Sequence, residues 1–279
     1  MMKKVLMMTM AAAGLMATFA LAAAGDAALK QAVAGEQRSV DDKVRDAERR
    51  PLESLAFWGL KSGSSILEVQ PGGGWWSRIL APYAALSGGR YTATAADLNN
   101  PSLSEAARKG RADFAARYAN EKIFGKVELV NWGPVAAPLP QNSYDFILLS
   151  RVIHGWMRTE GLLERNLVSV AGSLKPGGVL AVEQHRANPG VQDPKVESGY
   201  VTEAFVIEAA QRAGLRLVGR SEINANAKDT KDHPFGVWTL PPTRTTVPYG
   251  SNRAPDPTFD RSKYDAIGES DRMTLRFIK

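Results

Sequence analysis

The chain has 279 residues, of which 44% are hydrophobic and 23% charged, with a formal net charge of +6 and no cysteine. That composition suits a folded protein with a full core, and the missing cysteine excludes disulfides, thiol catalysis and a Cys-based zinc site. Basic and acidic residues are interleaved, so no dense Lys/Arg patch marks a nucleic-acid partner.

The first residues carry Lys3 and Lys4, followed by an uncharged run from Val5 to Ala24 that closes on Ala20-Leu21-Ala22 and Ala22-Ala23-Ala24. A charged start, a short apolar stretch and an A-x-A exit describe a signal peptide over residues 1–24, cleaved between about Ala22 and Gly25. The protein is therefore expected to be exported, with the periplasm as its compartment. No later segment is long and apolar enough to span a bilayer, which predicts no membrane insertion once the leader is removed. Loss of Lys3 and Lys4 brings the charge to about +4, and the roughly 255 residues that remain suit one α/β domain.

From Asp26 to about Trp58, Val40, Val44, Ala47, Leu52, Leu55 and Trp58 fall at helical spacing broken by Pro51. This predicts two helices, within a 25–60 segment that packs on the core. Ser65–Val69 is a short apolar run bounded by turn residues, a buried parallel strand. It runs into Pro71-Gly72-Gly73-Gly74 and then a helix start at Trp75-Trp76-Ser77. Arg90–Ala96 is a second strand ending at Asp97, and Ser102 with Glu105 predicts a capping box for a helix to about Tyr118.

Strands are expected at Val127–Val130, Tyr144–Leu149, Val179–Gln184, Leu215–Ser221 and Gly236–Leu240, with helices at about Gly161–Leu174 and Thr202–Ala213. The alternation predicts a Rossmann-like doubly wound α/β sheet, mostly parallel with an antiparallel last strand, over residues 61–240. Residues 241–279, rich in Pro, Thr, Ser and Asp as far as about Ala266, read as an irregular extension from which Met273–Ile278 returns as an edge strand.

In open parallel sheets ligands bind beyond the carboxyl ends of the strands. Gly72, Gly73 and Gly74 fit such a place, because glycine accepts positive φ and lets backbone approach a ligand. Asp97, ending the second strand, can accept hydrogen bonds from both ribose hydroxyls of a nucleotide-like cofactor or be a helix cap with Asn99 and Asn100. Gly72-x-Gly74-x-x-Ser77 also approaches a dinucleotide fingerprint, but with Ser at the place that takes Gly or Ala for helix packing, so a nicotinamide enzyme is the weaker fit.

In order, Ile66-Leu67-Glu68-Val69-Gln70-Pro71-Gly72-Gly73-Gly74, Ser143–Leu149 and Leu174-Lys175-Pro176-Gly177-Gly178-Val179-Leu180 resemble the first motif, the fourth strand and the turn into the fifth strand of class I S-adenosylmethionine-dependent methyltransferases. Pro71–Trp76, Arg151–Trp156 and Trp238-Thr-Leu-Pro-Pro are similar to a group of exported bacterial proteins described as predicted methyltransferases. The resemblance implies S-adenosylmethionine as cofactor, with Glu68 orienting the glycine loop or the methionine amino group, Gly72 and Gly74 lining the methionine, and Asp97 holding the ribose. Gln70 departs from it, standing where the family has its first glycine. Asn131-Trp132-Gly133-Pro134 also departs, lacking the acid that contacts adenine.

His154, His185 and His233 each follow, or lead into, an expected strand on the ligand side. His154 or His185 is the expected base, and Arg151, Trp156 and Arg186 are candidates to grip an anionic or aromatic small-molecule substrate. The spacing of His154, His185 and Glu183 or Asp232 carries no ligand signature, so no metal is expected. The function read from the sequence is methyl transfer to a small molecule. Its rival is a non-catalytic periplasmic ligand-binding protein that keeps the same fold.

Overall fold

The computed structural model describes residues 26–279, so the expected signal peptide lies outside the described residues. The chain divides into two compact units, one of residues up to Ala137 with Ser143–Ile147, the other of Pro138–Asn142 with Leu148–Lys279.

The first unit opens with four short helices where two were expected: α1 (Ala27–Ala34), α2 (Val40–Val44), α3 (Asp46–Arg49) and α4 (Pro51–Trp58). Pro51 does not break a helix but starts one, at the first-turn position where its missing N–H has no partner to lose. Ser39 and Asp42 form a capping box on α2. Val40 and Val44, expected to face inward, are exposed, whereas Arg38 and Arg49 are buried. Strands β1 (Ser65–Val69), β2 (Arg90–Ala96) and β3 (Val127–Trp132) pair in parallel, with Ile66 opposite Tyr91 and Ala93 opposite Leu129. Between them run α5 (Ser77–Ser87), α6 (Glu105–Arg117) and α7 (Glu121–Phe124). Ser104, not Ser102, caps α6: its Oγ accepts the Ala107 N–H at 3.2 Å, while Ser102 lies in the preceding turn with its N–H on Asn100 Oδ1.

Strand β4 (Tyr144–Ser150) begins in the first unit and ends in the second. The second unit adds α8 (Ile153–Trp156), α9 (Leu162–Ser173), β5 (Leu174–His185), α10 (Glu203–Arg212), β6 (Arg216–Ser221), α11 (Ser262–Ile267) and β7 (Arg272–Ile278). The hydrogen-bonded strand order is β3-β2-β1-β4-β5-β7-β6.

Two expectations are corrected here. Gly236–Leu240 is not the last strand: Gly236–Thr239 is a 3-10 turn, a short apolar run whose periodicity cannot separate the two. The antiparallel last strand is β7, and it is not at an edge. It runs between β5 and β6, with His185 opposite Arg272 and Arg216 opposite Ile278. Met273, Thr274, Leu275 and Phe277 are fully buried, so the expected irregular extension supplies part of the core. Among the described residues no helix is long and apolar enough to cross a membrane.

Candidate functional site

The glycine loop belongs to the first unit. Gln70 takes the left-handed φ of +50°, as do Gly72 at +57° and Gly74 at +75°. Glycine adopts this region without strain, whereas a residue with a Cβ pays roughly 1–2 kcal/mol, so Gln70 sits in a backbone shape made for the glycine it replaces. Its N–H donates to Thr94 Oγ1 at 2.7 Å, which fixes the turn to β2. A Cβ on Gly72 or Gly73 would meet nothing within 4 Å, so space is open above this stretch of backbone. Gly74 differs: a Cβ there would lie 2.2 Å from the Tyr118 hydroxyl, which donates to Gly74 O at 3.1 Å. Gly74 is thus needed for packing, and of the residues the resemblance places on the methionine, Gly72 is the one with open space.

The loop is braced from behind. Arg78 donates to Gly73 O at 3.0 Å and, with Nε and Nη2, to both oxygens of Asp42 at 2.7 Å. Burial alone would raise the Asp42 carboxyl, but the hydrogen bonds and charge of Arg78 hold it below its usual range. Trp75 is buried with the guanidinium groups of Arg38 and Arg49 over its ring, at 5.1 and 4.8 Å, and its Nε1–H donates to Asp42 O. Glu68, 2% exposed, accepts from Ser77 Oγ at 2.7 Å and Tyr91 Oη at 2.6 Å. Burial, then the charge of Glu68, pushes the Tyr91 hydroxyl well above its ordinary pKa. These two contacts of Glu68 serve the first of its two implied roles, orienting the loop.

Asp97 is 5% exposed, and its Oδ1 accepts the Asn99 N–H at 3.0 Å in a local turn; it is not a helix cap, since Ser104 caps the helix that follows. Its Oδ2 makes no hydrogen bond among the described residues, which leaves one oxygen for a ligand hydroxyl. Arg111 fixes the surroundings by donating to Ala96 O and Asn131 Oδ1, both at 2.8 Å.

The histidines belong to the second unit. His154 lies in α8 and His185 ends β5, and their rings are 5.6 Å apart. Gln184 Nε2 donates to His154 Nδ1 at 3.1 Å, and His185 Nδ1 is 2.6 Å from Ser270 Oγ. Burial, then the charge of Arg158, lowers the His154 pKa to about 4, so the ring is neutral at physiological pH. Trp238 stands 5.8 Å from His154, Tyr200 stands 6.2 Å from His185, and the Arg158 guanidinium lies 4.9 Å over Trp238. His233 does not join the pair. Its Nε2 is 2.8 Å from the buried Asp229 carboxylate, which also accepts from Tyr200 Oη and the Asp271 N–H, in a structural cluster.

Two substrate candidates are corrected by burial and pairing. Trp156 is 3% exposed and part of the core. Arg186 donates to Asp271 and to both oxygens of Glu222 and lies 3.9 Å from Glu203, so its charge is matched internally. It borders a cavity of about 470 Å³ at the carboxyl ends of β5 and β6, whose other cations, Arg220 and Lys231, are paired with Glu203 and Asp271. Arg151, after β4, has a strained φ of +59°, and its N–H donates to Glu183 O at 2.7 Å. Glu183 is buried against Arg272 and Ser150, and no metal-ligating cluster occurs among the described residues. Sequence reasoning missed Gln184, Ser270 and Arg158, and named Trp238 only in a resemblance, without a place beside His154. Of the three missed, Gln184, beside His185, and Arg158, just past Arg151–Trp156, gave a positional signal.

A sheet ordered 3-2-1-4-5-7-6, with an antiparallel strand seventh in sequence but sixth in place, departs from the 3-2-1-4-5-6 order of dinucleotide-binding folds. It is the Rossmann-like fold of class I methyltransferases. A candidate sarcosine dimethylglycine methyltransferase from Galdieria sulphuraria shares that fold at a TM-score of 0.51, with 13% identity over 86% of this chain and 88% of that one. An S-adenosylmethionine-dependent methyltransferase from Aquifex aeolicus is 22% identical over 66% of this chain and 89% of its own, at a TM-score of 0.48. A TehB-like methyltransferase from Corynebacterium glutamicum is 15% identical, covering 90% and 92%, at 0.45. No curated protein matches the sequence. The model of the family described as "Methyltransferase domain" matches residues 67–182. Residues 67–182 are thus similar to a methyltransferase domain, and they lie within a sheet that has the Rossmann-like fold of class I methyltransferases.

Proposed function

We propose that the protein is a catalytically active, exported methyltransferase that uses S-adenosylmethionine to methylate a small acceptor bearing a removable proton. The observation that carries this reading is the His154–His185 pair: two imidazoles 5.6 Å apart, outside the buried His233 cluster. Export rests on the Lys3-Lys4 leader and its A-x-A exit. An envelope species beginning between Ala22 and Gly25 agrees with it, and an intact Met1 in the cytoplasm contradicts it.

The residues of the first unit fit the cofactor, with open backbone at Gly72 and Gly73 and an unused carboxylate oxygen on Asp97. When bound, the cofactor supplies an electrophilic methyl on a sulfonium, and the acceptor–methyl bond forms as the sulfur–methyl bond breaks. Asp97 Oδ2 would accept from the ribose hydroxyls, while Glu68, through Ser77, keeps the loop in shape. One imidazole of the pair would take the acceptor's proton, a contribution of roughly 10²–10⁴-fold in rate. Alignment of the acceptor with the methyl supplies the rest.

The test is incubation of purified protein with methyl-labelled S-adenosylmethionine and a panel of small acids, phenols and amines. Labelled product with one equivalent of S-adenosylhomocysteine is expected. Tight cofactor binding without any such product across the panel would favour a ligand-binding protein.

A further inference from the structure

Resting on that reading, we infer that His154 and Arg158 form the anion-receiving part of the acceptor site, with Gln184 fixing His154 as a hydrogen-bond donor, so that His185 is the proton acceptor. The acceptor substrate then carries a planar anionic oxygen group, a carboxylate or a phenolate.

Three contacts lead there. The Gln184 amide nitrogen donates to His154 Nδ1, so the ring proton sits on Nε2 and that atom can only donate. Gln184 is fully buried, and its Oε1 has no hydrogen bond. The reverse orientation would place a two-donor NH₂ group where this single acceptor now sits, and a carbonyl short of partners is the less costly orphan. His154 Nε2 itself makes no hydrogen bond among the described residues.

The second contact is charge. Arg158 has no ion pair among the described residues; its guanidinium is held over Trp238 at 4.9 Å and within 3.5 Å of Val196 O. Its positive field, with that of Arg151, reaches His154 strongly enough to oppose protonation of the ring. A neutral N–H donor beside an unpaired cation receives an anion and repels an ammonium.

The third is shape. Trp238, buried and edge-on to His154 at 68°, carries Tyr249 stacked on its ring at 4.5 Å, and the exposed Tyr249 is the flat surface offered to a flat group. A ring held as a donor and kept neutral near an arginine is a poor proton acceptor, which leaves that step to His185, oriented through Nδ1 by Ser270.

The experiment reads the tautomer and the charge preference separately. In long-range proton–nitrogen spectra of histidine-labelled protein at pH 7, His154, assigned by its loss in His154→Gln, is expected as the Nε2–H form. Gln184→Glu, which accepts instead of donating, is expected to move the proton to Nδ1, and Gln184→Leu to leave a mixture. Benzoate is expected to shift the His154 Nε2 signal, to bind better than neutral benzamide, and to lose about tenfold or more in affinity in Arg158→Gln. A wild-type Nδ1–H ring, or benzoate affinity unchanged in Arg158→Gln, overturns the assignment. None of these readings uses the cofactor or turnover. Failed methyl transfer with the tautomer and benzoate results intact would therefore defeat the proposed function and leave the anion site standing.

Discussion

Around the glycine loop the polar side chains hold the loop backbone directly or hold one another. Arg78 and Tyr118 bind the loop carbonyls, Glu68 holds Ser77, and Asp42 holds Arg78 and, through its carbonyl, Trp75. Around His154 the polar groups are held by one side only among the described residues: Gln184 takes Nδ1 and leaves Nε2, and Arg158 rests on a ring without a carboxylate partner. A surface that binds through backbone needs rigid scaffolding, whereas one that does proton chemistry needs side chains with a spare face. If the division is real, substitutions in the two regions should fail in different ways.

The largest difference should come from His185. Its replacement by Gln is expected to slow single-turnover methyl transfer roughly 10²–10⁴-fold with cofactor affinity retained, and undiminished turnover in the folded variant would remove it from the chemistry. Trp75→Ala should do the opposite. It deletes a buried ring under two guanidinium groups and is expected to destabilise the fold by about 3–5 kcal/mol in denaturant titrations; a loss below about 1 kcal/mol would mean that the brace is slack.

A smaller effect separates the regions by pH. Burial and the charges of Arg158 and Arg151 hold His154 at about 4, below its ordinary 6.5, so the unfolded chain takes up the proton first as pH falls. The stability contributed by the neutral ring is complete above about pH 6.5 and is lost as pH falls toward 4. The size should be on the order of 1–3 kcal/mol. Denaturation at pH 7 and pH 5 should show a smaller difference in His154→Gln than in wild type, and an equal difference would contradict the lowered pKa.

How far each region was legible follows from how local its determinants are. Ser65–Val69 and Arg90–Ala96 match the expected strands residue for residue, because turn residues bound both apolar runs. Glycines and a strand-end acid form a local pattern, so the loop could be found; Gly74's partner Tyr118, 44 residues away, could not. In helices as short as α2 and α3 periodicity defines no face, and the buried groups are Asp42 and Arg49, with Arg38 just ahead of α2; both arginines lie against Trp75. The central place of β7 depends on pairing with β5 about ninety residues earlier, which no local pattern encodes. The same holds for His185 and Ser270, 85 residues apart. His154 and His185 were visible only as strand-end histidines, without the Gln184 contact that gives one of them a fixed polarity.

The most direct test of the cofactor region is calorimetric titration of wild type and Asp97→Ala with S-adenosylmethionine. The wild type is expected to bind at one site, and loss of the carboxylate that accepts from the ribose should weaken binding by about 1–3 kcal/mol in a variant that remains folded. Absence of binding by the wild type, or equal affinity in the two proteins, would contradict the assignment of the Gly72–Gly73 backbone and Asp97 to the cofactor.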